Sequence, residues 1–317
     1  MRRSRFRQPV LFALLSLTIL SGLAALAPRL ADTYWLLEFP AHFRAHLSVG
    51  MLLIVGVFAA LRAWRHVAFA TVVTGVIAAP VAGLWIPSET GDQHVVGLRA
   101  LSLNVSFYGR NYDEVLTLIQ RVRPDVIGLV EVNTRWMEEL APIDEHYRHR
   151  VVFARPRGSG VALLSRLPFR DAEVRPFAGT GRHYAVGAVD VDDVSVVLAV
   201  AHGESPLGGA AAAAVRNGQL DTLAAMRQEF ADHEVIIMGD LNTSPWSLAF
   251  QRMLEVTGFR DAAAGFGYRP TWPAQRPWIG IPIDYHVVSS GIVVKNFSTV
   301  GPTGSDHLAV YSELGFR

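Results

Sequence analysis

The alternation of apolar and polar positions changes character near residue 94. Before it, three long apolar runs follow one another at 10–27, 47–61 (extended slightly by Ala45 and His46) and 67–86. At ~1.5 Å rise per residue, about 20 residues cross a hydrocarbon core of about 30 Å. The first and third runs meet that length and the second is marginal, so the pattern predicts three transmembrane helices over about 10–27, 45–61 and 67–86. After residue 94 the apolar runs are short and bounded by turn residues. Strands are predicted at 98–105, 126–131, 151–154, 160–165, 184–191, 194–201, 235–238, 283–288, 293–299 and 308–314. Helical spacing appears at 113–122, where Val115, Leu118, Ile119 and Val122 recur at i, i+3, i+4 and i+7, and again at 212–230 and 246–256. Many strands with three or four helices predict an α/β fold in which two packed sheets are flanked by helices, an αββα sandwich rather than a regular βαβ array.

Charge orients the apolar third. Arg2, Arg3, Arg5 and Arg7 precede the first run, and Arg62 and Arg65 lie between the second and third. By the positive-inside rule these segments face the cytoplasm. The intervening loop carries Arg29 and Arg44 offset by Asp32 and Glu38, a weaker bias. Three crossings from a cytoplasmic start carry the remainder to the periplasmic or extracellular side of a bacterial inner membrane. Ala25-Leu26-Ala27 resembles a signal-peptide cleavage site, but Pro28 follows it directly and two more apolar runs come after. An uncleaved anchor at 1–94 is therefore expected, closed by the short polar stretch 87–92. A single soluble domain is expected at 95–317.

Composition narrows the function. The chain has 317 residues and a formal net charge of +1, but residues 95–317 hold 21 Lys/Arg against 24 Asp/Glu, a net −3. Proteins that grip long nucleic acids by their phosphates usually show a basic face, and that bulk signal is absent. There is no cysteine, which excludes disulfides and thiolate metal sites.

Chemistry concentrates where apolar strands stop. The run 235–238 ends in Gly239-Asp240-Leu241-Asn242, and Ser305-Asp306-His307 stands directly before the last apolar run. Asn104, Glu131, His202 and Asp284 occupy similar strand ends. Singly, each has an ordinary structural explanation: a turn former, a cap, a core or surface histidine. Together they form a set of carboxylates, amides and imidazoles without thiols. Such a set suits metal-assisted phosphoester cleavage. A hard Mg²⁺ or Mn²⁺ takes carboxylate oxygens, an Asp with a neighbouring amide orients a water, and His and Asn offer donors to a developing phosphate charge.

Leu-Asn104, Gly-Leu-Val-Glu131-Val, Ala-His202, Met-Gly-Asp240-Leu-Asn242, Ile-Asp284 and Ser-Asp306-His307 occur in the order and approximate spacing of one superfamily. Over residues 97–314 the chain resembles the endonuclease/exonuclease/phosphatase (DNase I-like) superfamily. With its apolar third it is similar to a membrane-anchored bacterial branch often called YafD-like. The resemblance implies the two-sheet αββα sandwich, a phosphoester hydrolase activity, and Mg²⁺ or Mn²⁺ as cofactor. It also implies roles. Glu131 is the principal metal ligand, with Asn104 and Asp306 completing or tuning the sphere. Asp240 orients and deprotonates water, Asn242 holds that water or a phosphate oxygen, His307 buttressed by Asp284 contacts phosphate, and His202 is a second phosphate contact. Either Asp240 or His307 is the base. One departure is visible: many relatives carry His directly after the Ile-Asp acid, whereas here Tyr285 follows and His286 comes next. On a strand His286 faces away from Tyr285 and does not inherit that role.

Arg216 and Gln219, three apart on the long predicted helix, either face the site or lie on a solvated face. Trp272 is either a substrate platform or a packed loop anchor, and His146, His149 and His183 are expected on the surface. The leading expectation is a membrane-anchored phosphodiesterase of nuclease type. A lipid-headgroup phosphodiesterase, of phospholipid or sphingomyelin, is the second. A non-catalytic membrane receptor or scaffold reusing the fold is the third. Expected partners are a phosphoester substrate, nucleic acid or lipid headgroup, and the bilayer that takes the amino-terminal helices. No protein partner is predicted.

Overall fold

The computed structural model describes residues 2–87, 97–156 and 158–317. The polar stretch expected at 87–92 lies, from residue 88 onward, outside the described residues. The chain divides into two compact units, residues 1–85 with 246–248, and residues 86–245 with 249–317.

The first unit is helical: α1 (Arg2–Leu26), α2 (Phe39–His42), α3 (Arg44–Ala60) and α4 (Trp64–Ala82). Leu11, Ala25, Met51, Phe58, Ala70 and Ile77 form its packed seam. Its hydroxyls turn back on their own helices: Thr18 donates to the Leu14 carbonyl, Ser48 to Arg44 and Thr74 to Ala70. This is how a polar side chain is satisfied on a helix with few other partners. Helices Arg7–Leu30 and Trp64–Trp85 are long and apolar enough to cross a membrane. The expected second span differs. With 17 residues, α3 reaches only about 26 Å at 1.5 Å per residue. It amounts to a third crossing only if joined to Trp35–His42, from which it is bent by 63°.

The second unit runs β1 (Leu98–Asn104), α5 (Tyr112–Val122), β2 (Val126–Val130), α6 (Thr134–Glu139), β3 (His149–Phe153), β4 (Val161–Ser165), β5 (Phe169–Pro176), β6 (His183–Val191), β7 (Val194–Val200), α7 (Ala210–Glu229), β8 (Glu234–Asp240), α8 (Leu248–Thr257), β9 (Arg260–Asp261), β10 (Asp284–Val288), β11 (Ile292–Val300) and β12 (Ala309–Phe316). The strands form two six-stranded sheets, in the orders β11-β12-β1-β2-β4-β3 and β5-β6-β7-β8-β10-β9. Each sheet holds one parallel pair, β1/β2 or β7/β8, among antiparallel neighbours. Side-chain alternation builds the layers. Val126 and Val130 face Val196, Leu198, Val200, Ile236 and Met238 between the sheets. Ile127 and Leu129, one residue out of phase, pack outward with Val115, Leu118, Ile119 and Trp136 of α5 and α6. On the other flank Val197, Ala199, Val235 and Ile237 pack with Leu220, Leu223 and Met226 of α7. The result is two mixed sheets in an α/β sandwich. At Gly128 an added Cβ would lie 2.9 Å from the Val200 side chain of the opposite sheet, so close approach between sheets requires glycine there.

The predicted strands and helices are all present within a few residues. β5, α6 and β9 were not predicted. β5 is an edge strand whose Arg170, Asp171 and Glu173 are exposed, so it shows no apolar alternation.

Candidate active site

Seven of the eight singled-out side chains meet at one end of the sandwich, because topology brings their strand ends together. Asn104 ends β1, Glu131 follows β2, His202 follows β7, and Asp240 ends β8. Both parallel pairs therefore point their carboxyl ends the same way, where open α/β sheets place ligands. β10 runs antiparallel to β8, with Asp284 directly opposite Asp240. β12 runs antiparallel to β1, and the turn before it is pinned: Ser305 Oγ donates to the Asn104 carbonyl at 2.7 Å and accepts the His307 N–H at 3.1 Å.

Asp240 Oδ2 is the common point. Asn104 Nδ2 donates to it at 3.1 Å and to Glu131 Oε1 at 3.0 Å, bridging the two acids. His202 Nε2 lies 3.7 Å from Asp240 Oδ2 and 3.8 Å from Glu131 Oε1. His307 Nε2 lies 3.8 Å from Asp240 Oδ2, and its Nδ1 is 2.9 Å from Asp284 Oδ2. The Asn242 N–H donates to Asp240 Oδ1 at 2.9 Å, and its Nδ2 donates to the Gly203 carbonyl at 3.0 Å. Glu131 and Asn242 both hold left-handed backbones, at φ 64° and 48°. For residues with a Cβ such conformations cost roughly 1–3 kcal/mol and persist where surrounding contacts enforce them, commonly at functional sites.

The electrostatics separate these groups. Burial, together with the negative Asp284, pushes the Asp240 carboxyl up to about 7. Burial works against the charged form of His307 as well, but Asp284 and Asp240 outweigh it and raise the imidazole to about 10. At neutral pH His307 is thus an imidazolium held between two acids. His202 moves the other way: burial lowers it to about 4 despite nearby Glu131, and it stays neutral.

Asp306 stands apart from this cluster. It is exposed, and its Oδ2 accepts the Trp272 indole N–H at 3.1 Å. Trp272 is accordingly tied to the loop rather than left with its N–H free. Residues able to hold a cation fall in two neighbouring groups. Asp240, Asp284 and His307 offer ligand atoms within 4.8 Å of one another, His307 only in its neutral form. Glu131 and Asn104 sit beside them. Among the described residues, Asp284 Oδ1 is buried without a hydrogen-bond partner. An orphaned carboxylate oxygen is costly unless a cation or donor meets it. The donors are carboxylate, amide and imidazole, a set that fits Mg²⁺ or Mn²⁺.

Helix α7 supplies supports the sequence left open. Arg216 and Gln219 are buried. Arg216 Nη1 donates to the Asn242 carbonyl at 3.2 Å. Gln219 accepts the Glu204 N–H at 2.7 Å and donates to the His202 carbonyl at 3.2 Å. Together they hold the loops after β7 and β8. The Tyr285 hydroxyl lies 3.1 Å from the Thr243 and Pro282 carbonyls, bracing the loop after Asp240 from below. His286 points between the sheets, 2.7 Å from Ser312 Oγ and 3.0 Å from Ser102 Oγ. His146 is exposed, while His149 and His183 are half-buried, the latter stacked 4.0 Å from Phe153. Neither Tyr285 nor the αL backbone of Glu131 carries a signal in a single sequence.

A family model described as Endonuclease/Exonuclease/phosphatase matches residues 101–307. No curated protein matches the chain. Among solved structures, D. rerio TDP2 complexed with single strand DNA product superposes with a TM-score of 0.58 at 18% identity, covering 69% of this chain and 98% of that one. An endonuclease/exonuclease/phosphatase from Beutenbergia cavernae gives 0.55 at 22% identity, covering 69% and 71%. TDP2 from C. elegans gives 0.58 at 18% identity, covering 79% and 81%. At these identities the likeness is one of fold.

Proposed function

The chain belongs to the endonuclease/exonuclease/phosphatase family, whose members are phosphoester hydrolases, and from that premise we propose that it is a membrane-anchored, divalent-metal-dependent phosphodiesterase of nuclease type. The observation that carries the reading is the convergence on Asp240 Oδ2 of Asn104, His202 and His307, from four separate strand ends. Glu131 is the proposed principal ligand, with Asn104 beside it and Asp306 adding negative charge near His307. When bound, Mg²⁺ or Mn²⁺ supplies Lewis-acid charge at a phosphoryl oxygen and makes a water easier to deprotonate.

The chain's own groups divide the remaining work. His307, already protonated, is a poor base and a strong donor, so it binds a phosphate oxygen through Nε2–H while Asp284 fixes its ring. Asp240, pushed to about 7, is matched to accept a proton from water near neutral pH, and becomes the proposed base. Asn242 holds that water or a phosphate oxygen. His202, neutral and facing both acids, offers a second contact to the phosphate without adding charge to the site.

The test is hydrolysis of bis-p-nitrophenyl phosphate by the full chain in detergent, with Mg²⁺ or Mn²⁺ and then with EDTA. Metal-dependent turnover abolished by EDTA is expected; no turnover with any metal would favour a receptor or scaffold. Two helices of membrane-crossing length favour a lipid-headgroup diester as the second reading, and sphingomyelin and phospholipids beside single-stranded DNA and RNA decide between them. We further propose three crossings, the branch of membrane-anchored bacterial relatives, and residues 95–317 on the periplasmic or extracellular side. Protease protection of that domain in right-side-out spheroplasts would contradict the orientation.

A further inference from the structure

The loop 105–111, between β1 and α5, is fastened to the acid centre more tightly than its exposure requires. The Ser106 N–H donates to Asn104 Oδ1 at 3.0 Å, and the Phe107 N–H donates to Glu131 Oε2 at 2.8 Å. Trp136 Nε1 donates to the Ser106 carbonyl at 3.2 Å, and Asn133 Nδ2 to the Phe107 carbonyl at 3.4 Å. Ser106 holds φ 57°. The turn closes on Gly109, whose N–H donates to the Ser106 carbonyl at 2.7 Å. A Cβ on Gly109 would sit 2.5 Å from the Val105 carbonyl oxygen, so that position is restricted to glycine. From this immobilised turn Tyr108 projects with 88% of its surface exposed. Among the described residues its ring meets Phe107 edge-on, at 4.9 Å between centroids.

Single exposed aromatics are common and need no function. This one differs in where it is mounted: one residue along the chain from the amide that grips Glu131, on a backbone held by five hydrogen bonds. An exposed ring on a backbone fixed next to the proposed phosphodiester-cleaving centre is a ready-made stacking surface. Residues 95–317 also carry 24 acids against 21 bases. The domain as a whole therefore carries no net basic charge to drive counterion release, the usual source of affinity for nucleic acid. Stacking on an aromatic face is a source of affinity that does not depend on charge.

We propose that Tyr108 is the stacking platform for the nucleobase adjoining the bond to be cut, which makes single-stranded nucleic acid the substrate. A paired base in a duplex has its faces occupied by its neighbours, whereas an unpaired base is free to stack on Tyr108. The inference rests on the phosphodiesterase reading above.

The experiment compares a deoxythymidine oligomer with an oligomer of equal length built from abasic tetrahydrofuran units, cleaved by the full chain in detergent micelles with Mg²⁺. The wild type should prefer the oligomer that carries bases. Tyr108→Ala should reduce that preference about tenfold, a loss in the range found when stacking aromatics are removed. Tyr108→Trp should keep it, and the wild-type preference should change little between low and high NaCl. An equal preference in wild type and Tyr108→Ala overturns the proposal. So does a Tyr108→Ala variant whose only defect is weaker binding to phosphatidylglycerol vesicles, which would make the ring a bilayer contact. If the wild type cleaves bis-p-nitrophenyl phosphate but neither oligomer, the nucleobase platform falls and the phosphodiesterase stands. If it cleaves nothing, both fall together.

Discussion

Glu131 and Asp240 follow nearly interchangeable apolar strands, β2 and β8, at the ends of the parallel pairs of the two sheets, yet they are not equivalent acids. The Glu131 side chain keeps 25% of its surface, and both its oxygens accept N–H groups, from Asn104 and Phe107. The Asp240 side chain keeps 2%, with Asp284 paired opposite it across β10. The Glu131 oxygens are thus half-open and already hydrogen-bonded, whereas burial beside Asp284 pushes the Asp240 carboxyl up to about 7. The two roles proposed for these carboxylates rest on that difference in surroundings.

The comparison can be broken in order of expected effect. Asp240→Asn should be the most damaging, lowering kcat on bis-p-nitrophenyl phosphate by about 10²–10⁴-fold, the usual contribution of a positioned base, with circular dichroism unchanged. Near-wild-type turnover would remove Asp240 from the chemistry. His307→Gln, which deletes the proposed charged donor to the phosphate, should cost about 10²–10³-fold in kcat. Glu131→Gln should act on a different axis, raising the Mg²⁺ concentration for half-maximal rate by about 10–100-fold, as when a metal site loses a supporting group. An unchanged metal titration would take Glu131 out of the coordination sphere. Tyr285→Phe, which removes only the hydroxyl under the Asp240 loop, should lower kcat a few-fold, on the order of one lost hydrogen bond, and leave the metal titration alone.

A second pair extends the contrast to stability. His286 and His307 are both buried histidines, but the ring nitrogens of His286 meet two hydroxyls and burial lowers it to about 3, while the acids around His307 raise it to about 10. The signs are opposite. His286, depressed below its usual 6.5, contributes stability that is present above 6.5 and lost as pH falls toward 3; His307 contributes stability present below 6.5 and lost as pH rises toward 10. The melting temperature of the metal-free protein should therefore fall on the acid side, and His286→Gln should flatten that limb. An unchanged acid limb would assign it to other groups.

Much of this was legible in the sequence for a physical reason. A buried strand needs an unbroken apolar run, so the acid or amide that ends the run marks the strand end, as at Asn104, Glu131 and Asp240. What the sequence could not carry was the third dimension. Nothing in Arg216 or Gln219 says that α7 turns them inward to the His202 and Asn242 loops rather than to water. Asp306 reads like its neighbour His307, but one residue of turn sends its carboxylate to Trp272 instead of Asp284. The second apolar run has the composition of a span but not its length, and only the 63° bend before it shows how the preceding residues are used.

β12 is the last strand in the chain and yet lies between β11 and β1, inside its sheet. Until the ribosome has released residues 309–316, the β1 edge lacks its partner and the His307 turn has no strand to hold it against Asn104. The turn that carries His307 is therefore set in place only once β12 has paired with β1.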